Sequence, residues 1–364
     1  MSTGTSSGVT GGLVQGNTAP AGSVGAGVTP ILSVLDVSPV PSGSTPGDAL
    51  RNTLDLAQHV ERLGYHRYWL AEHHSMPGIA SSAPSIMIGQ VAAVTERLRV
   101  GSGGVMLPNH APLVVAEQFG TLDALYPGRI DLGLGRAPGT DQVTAHALRR
   151  SATQLSEDDF PQQLAQLRAF FDDGYPADHP YAAITAVPGL GAQVAVWLLG
   201  SSTYSAQLAG LLGLPYAHAH HFASGSTDAA VDAYRSAFRP GVLEQPYLVV
   251  TSSVVAAEDD ERARWIAAPM ALTMARLRAG NPGTFPTPEE AAANPLSPSQ
   301  LASLGGMTAS AIVGGPETVG AGLRALAERT GANELMVSTM VHSHSDRLRS
   351  YEIVAAQLGA AVPA

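Results

Sequence analysis

The chain has 364 residues, no cysteine, no lysine and a formal net charge of −10 at pH 7. Without cysteine there are no disulfides, thiolate metal ligands or cysteine nucleophiles, and without lysine there is no lysine Schiff-base chemistry. The acidic balance and the lack of a basic cluster argue against nucleic acid or an anionic membrane as partner.

Residues 1–29 are dominated by Gly, Ser, Thr, Ala and Val and contain no charged side chain. Such a segment buries too little surface to offset its ordering entropy, so a disordered tail is expected. It lacks the basic start and continuous apolar stretch of a signal peptide. No run approaches the roughly 20 apolar residues of a membrane span, and a cytoplasmic protein is expected.

From Pro30 the pattern alternates between strand and helix. Residues 31–37 read as strand one, and 46–63 as a helix with apolar Leu50, Leu54, Ala57, Val60 and Leu63, closed by Gly64. Strand two covers 65–71 and helix two 84–96. Strand three covers 98–106, and helix three, 112–125, stops at Tyr126-Pro-Gly128. Strand four is 129–134. Residues 137–190 hold a helix at 160–171 between Asp-, Pro- and Gly-rich loops, long enough for an active-site insertion or a subunit contact. Strand five at 193–199 leads through Gly200-Ser-Ser202 into a helix at 204–212. Short strand six spans 216–221, and strand seven spans 247–255. Residues 278–310 are rich in Pro, Gly, Asn and Ser and are expected to form a mobile excursion over the barrel mouth. Segments 311–313, 317–329, 334–341 and 347–358 close the fold. The rhythm implies parallel strands with right-handed crossovers, and a single (β/α)8 TIM barrel over 30–364 with insertions near 137–190 and 278–310.

Three strands end in chemically equipped tips: Tyr68-Trp-Leu-Ala-Glu-His-His74, Gly101-Ser-Gly-Gly-Val-Met-Leu-Pro108 and Ile130-Asp-Leu-Gly-Leu-Gly-Arg136. In a barrel such tips share one mouth. Side chains alternate along a strand, so one of His73 and His74 can face the interior while the other packs outward. They are either hydrogen-bonded supports for loops or proton carriers near neutrality. Gly101-Ser-Gly-Gly104 is either a β-bulge or a place where a planar ligand lies against the main chain. Arg136 is either a surface arginine or a phosphate clamp. Gly200-Ser-Ser202 with Ser205 reads as ordinary helix capping or as an anion site at a helix N-terminus. Ala217-His-Ala-His-His221 invites a metal reading, but no second carboxylate–histidine set matches it. Core or substrate-pocket histidines are expected there, and no metal.

Ala71-Glu-His-His74, Val105-Met-Leu-Pro108 and Gly133-Leu-Gly-Arg136 together resemble the luciferase-like, flavin-dependent monooxygenases. The resemblance runs from about residue 31 to the end and is greatest to single-chain members of polyketide antibiotic pathways, such as the mensacarcin oxygenase. It implies a homodimer that takes reduced FMN from a separate flavin reductase. Reduced FMN and O2 would form a flavin C4a-(hydro)peroxide that hydroxylates or epoxidises a small-molecule substrate. It makes His73 the catalytic histidine and sets Glu72 and Met106 beside the flavin. It puts a cis peptide between Gly103 and Gly104 under the ring, and the phosphate on Arg136, Ser201, Ser202 and Ser205. Two other readings stay open: a non-catalytic flavin-binding partner subunit, and a deazaflavin-dependent hydride-transfer enzyme.

Overall fold

The computed structural model describes residues 30–148, 159–172, 174–305 and 310–359. The expected tail at 1–29 lies outside them. Nine strands follow in chain order: β1 Ile31–Asp36, β2 Arg67–Leu70, β3 Arg99–Met106, β4 Ile130–Gly135, β5 Ala195–Gly200, β6 Tyr216–His218, β7 Leu248–Ala256, β8 Ile312–Gly314 and β9 Glu334–Ser338. Strands β1 to β7 pair in sequence, β7 pairs with β9, and β9 pairs with β1, all parallel, so eight strands close a barrel. β8 stands outside the ring, pairing with the end of β7 through Val254 and Ile312.

The flanking helices begin with α1 Pro46–Arg62, α2 Pro84–Val94 and α3 Pro112–Leu125, each with proline in its first turn. Proline is preset for that position and lacks an N–H that would go unpaired there. Thr45 and Asp48 cap α1 reciprocally. Next come α4 Gln142–Leu148, α5 Phe160–Phe171, α6 Thr203–Leu211, α7 Thr227–Ala237 and α8 Asp260–Arg278. The long α8 has Pro269 inside it, which masks a helical pattern in the sequence. The stretch at 278–310, expected to form an excursion over the barrel mouth, contains α9 Pro288–Ala293 and α10 Pro298–Leu304. Their caps were legible: Thr287 accepts from the Glu290 amide and Ser297 from the Gln300 amide. Strand six is shorter than expected, because His220 N turns back to His218 O. Helices Pro316–Thr330 and His344–Leu358 complete the outer layer. No described helix is long and apolar enough to cross a membrane.

The barrel floor is charged and buried. Arg67 opens β2, Arg99 opens β3, Asp131 is the second residue of β4, and Glu334 opens β9. Arg67 bonds Asp131 and Glu334, each at 2.7 Å, and Arg99 bonds the other Asp131 oxygen at 2.6 Å. Trp69 donates to Asp131 at 3.0 Å and Tyr247 to Glu334 at 3.0 Å. The Arg67 guanidinium lies 4.6 Å from the Trp197 ring centroid. Burial alone would raise the pKa of Asp131, but Arg99 and Arg67 outweigh it and hold it at about 2. A depressed carboxylate contributes stability above its unfolded pKa, lost as pH falls through the folded value. Asp131→Asn should therefore cost about 3–5 kcal/mol at neutral pH, the scale for breaking a buried ion pair. Denaturant titrations of both proteins should show that gap constant down to about pH 4 and closing toward pH 2. A gap independent of pH would contradict this.

Candidate functional site

The strand C-termini surround a cavity of about 320 Å³, within the range of small-molecule sites. His73, Gly103, Gly104, Met106 and Arg136 line it, with Ser201, Ser202 and Ser205 at one end. Of the residues that the resemblance assigns to the site, Glu72 alone is absent from this lining.

The alternation at the β2 tip sends the two histidines different ways. His73 faces the cavity, with Nδ1 donating to Gly139 O at 3.3 Å. That bond leaves Nε2 as the acceptor of a neutral ring. Burial pushes the pKa of His73 down, partly offset by the Gly139 carbonyl and by Glu72. His74 turns away and donates through Nε2 to Glu72 at 2.9 Å. Glu72 is fully buried behind the wall. It also accepts from the Met106 amide at 2.9 Å, Asn109 at 3.2 Å and His110 at 2.9 Å. Burial would raise its pKa, but His110, His74 and the Met106 amide together hold it below the usual value. Glu72 thus ties the β2 tip to the β3 tip.

Gly103 and Gly104 join through a cis peptide. The pairing with β4 also shifts register between Gly103 and Val105, so a bulge and an open main-chain surface coincide here. A Cβ on Gly103 would sit 2.6 Å from Leu35 Cδ1, and one on Gly104 would sit 2.5 Å from Leu199 Cδ1 and 2.8 Å from Gly133 O. Neighbouring strands leave no room for a side chain at either position. What faces the cavity is backbone.

Arg136 follows β4, and its guanidinium lies 4.4 Å from the ring centroid of Tyr204 in the first turn of α6. That contact brings a cation beside the α6 N-terminus. Ser202 is the N-cap residue, yet its hydroxyl makes no capping bond, and Ser201 and Ser202 are exposed. The loop is pinned from behind, where Ser226 donates to Ser201 O at 2.7 Å and Tyr216 to Gly200 O at 3.2 Å. Ser205 is buried, packed against Gly200.

The histidines after β5 serve different ends. His218 Nε2 and His220 Nδ1 both meet Thr227 Oγ1, at 3.2 and 2.8 Å. His221 lines the cavity.

A family model for luciferase-like monooxygenases matches residues 31–334. The chain belongs to the luciferase-like monooxygenase family. It is thus an enzyme of the monooxygenase class. The luciferase-like monooxygenase of Escherichia coli (strain K12) is 48% identical over 322 residues, covering 88% of this chain and 95% of that protein. The protein YvbT of Bacillus subtilis (strain 168) is 49% identical over 326 residues, covering 89% and 96%. The crystal structure of apo-MsnO8 superposes with a TM-score of 0.83 at 40% identity, over 91% of this chain and 98% of that one.

Several lining residues of this luciferase-like enzyme escaped sequence reading. Met270 and Met274 come from α8, Met336 from β9, and Met340 and Phe222 from the loops after β9 and β6. Lone methionines carry no local signature; only the closed ring brings them together.

Proposed function

We propose that this enzyme is a two-component monooxygenase that takes reduced FMN from a separate flavin reductase and inserts one oxygen atom of O2 into an organic substrate. The observation carrying this reading is a single cavity combining a stretch of bare main chain, a half-buried histidine and an anion-suited end. Free α6 amides, an N-cap hydroxyl unused by its helix and the Arg136 guanidinium suit a phosphate dianion. Gly103 and Gly104 line the cavity and add no side chain of their own to the space a flat ring would take. Reduced FMN, when bound, supplies the electrons and activates O2. Met106 borders the ring, and Glu72 holds the wall behind it through the Met106 amide. His73 Nε2 can hold a proton at the cavity surface and release it again, because burial keeps the ring neutral at physiological pH.

Hydroxylation or epoxidation, and a place in antibiotic biosynthesis, belong to this reading through the resemblance to polyketide-pathway members. The family also implies that two copies pair. Helices α2 and α3 offer a surface for it, since Ile86, Val114 and Leu125 remain exposed beside their buried faces. Light scattering at micromolar concentration should return twice the chain mass; a monomer would refute pairing.

Incubation with reduced FMN, 18O2 and a library of candidate substrates should give a product carrying one 18O atom. His73→Ala should bind FMN within about two-fold of wild type and lose that product. Hydride transfer from a reduced deazaflavin without oxygen incorporation would overturn the proposal, and unchanged turnover would return His73 to a supporting role. Arg136→Ala should weaken FMN about ten-fold or more and riboflavin hardly at all, as a charge-assisted bond is worth about 1.5–3 kcal/mol. Equal losses measured by titration would move the phosphate elsewhere.

A further inference from the structure

The residues assigned to the flavin all belong to one side of the mouth, the tips of β2 to β5 and the start of α6. The arc formed by β6, β7 and β9 lines the same cavity and carries none of them. It is closed by Met270 and Met274 of α8 and by Met336 and Met340 at the end of β9. With Met106, five of the nine methionines in the chain face this one space. Unbranched, polarisable side chains adapt to irregular apolar shapes. Among the described residues no Asp or Glu lines the cavity, and the one arginine that does, Arg136, sits on the other side. A charged group entering this arc would lose its water without gaining a counter-charge.

Besides the hydroxyls of Thr251, Ser253 and Ser338, one polar group breaks the apolar surface, and it is a histidine. His221 is nine-tenths buried, at 9% exposure. Its amide donates to Thr251 O at 3.1 Å and its Nδ1 lies 3.2 Å from the same oxygen. A carbonyl can only accept, so Nδ1 carries the proton and Nε2 keeps its lone pair. The two bonds, with the Phe222 ring 4.0 Å away between centroids, fix the imidazole. Nδ1 is held on β7, so the opposite edge of the ring meets the cavity, and among the described residues nothing bonds Nε2. Burial pushes the pKa of His221 down to about 4, so the ring is neutral at pH 7. A fixed, buried lone pair calls for a donor.

We propose that the β6–β7–β9 arc is the substrate subsite, taking an uncharged, mainly apolar molecule with at least one hydroxyl or N–H that donates to His221 Nε2. This rests on the flavin reading for which half of the mouth stays open. A site built to bond a donor rejects analogues that lack it, so His221 sets specificity rather than rate.

Calorimetric titration with 2-naphthol and 2-methoxynaphthalene tests this directly, since the two differ in the donor. Without flavin, wild type should bind 2-naphthol about three- to ten-fold tighter, the worth of one neutral hydrogen bond. His221→Phe should erase that preference while keeping 2-methoxynaphthalene affinity within about two-fold, which also reports that the variant is folded. Should His221→Phe not fold, the wild-type preference and its partial survival in His221→Gln, whose amide oxygen accepts, decide the matter. With saturating oxidised FMN, 2-naphthol should bind undiminished and 2-naphthoate more weakly than either neutral probe. Equal wild-type affinities, a preference surviving in His221→Phe, competition by FMN or tightest binding of 2-naphthoate would each overturn the proposal. Failure of FMN to bind would count against the cofactor reading alone, because the flavin-free titrations stand without it.

Discussion

Four strands of the barrel are tied at their base by charges that cannot be pulled apart cheaply. Arg67, Asp131, Glu334 and Arg99 are buried, and each carboxylate oxygen of Asp131 and Glu334 has a donor. Removing one member leaves another charge without water or partner, which is far costlier than losing a surface pair. Because β2, β3, β4 and β9 are held in register at the floor, their far ends are presented in register at the mouth. The side chains proposed to carry the chemistry sit on those ends.

At the mouth the same logic is repeated with a single carboxylate. Glu72 gathers an amide, an asparagine and two histidines, and so fixes the tips of β2 and β3 relative to each other. His73 leaves that cluster and faces the cavity, while the neighbouring backbone at Gly103 and Gly104 is too crowded by Leu35, Trp69 and Leu199 for any side chain. A histidine, a bare main chain and a helix N-terminus with Arg136 beside it therefore stand around one space. The opposite arc is apolar apart from hydroxyls and His221. That division gives the cavity two chemically distinct sides, as a reaction between a bound cofactor and a less polar partner requires.

Much of this was legible because strand tips in a barrel keep chain order and chemistry together. The βα rhythm and the opposed directions of His73 and His74 follow from local pattern plus closure, whereas the grouping of Arg136 with the Gly200-Ser-Ser202 turn came from the family resemblance. Glu72 was harder. The resemblance placed it beside the flavin, but only the fold shows that its partners lie at the β3 tip and draw it behind the wall. Helix α8 was hidden by Pro269, and the capping signatures at Thr287 and Ser297 were outweighed by proline-rich composition. The methionines of the substrate arc are separated by up to 70 residues, and nothing short of the closed ring relates Met270 to Met340.

In the proposed arrangement one mouth holds a flavin on its β2–β5 side and leaves the β6–β7–β9 side for substrate. A crystal structure of the protein soaked with FMN tests it most directly. The isoalloxazine ring should lie against the Gly103 and Gly104 backbone, with the phosphate within hydrogen-bond reach of Arg136 and the first α6 amides. Electron density for the ring on the His221 arc, or for the phosphate away from α6, would contradict it.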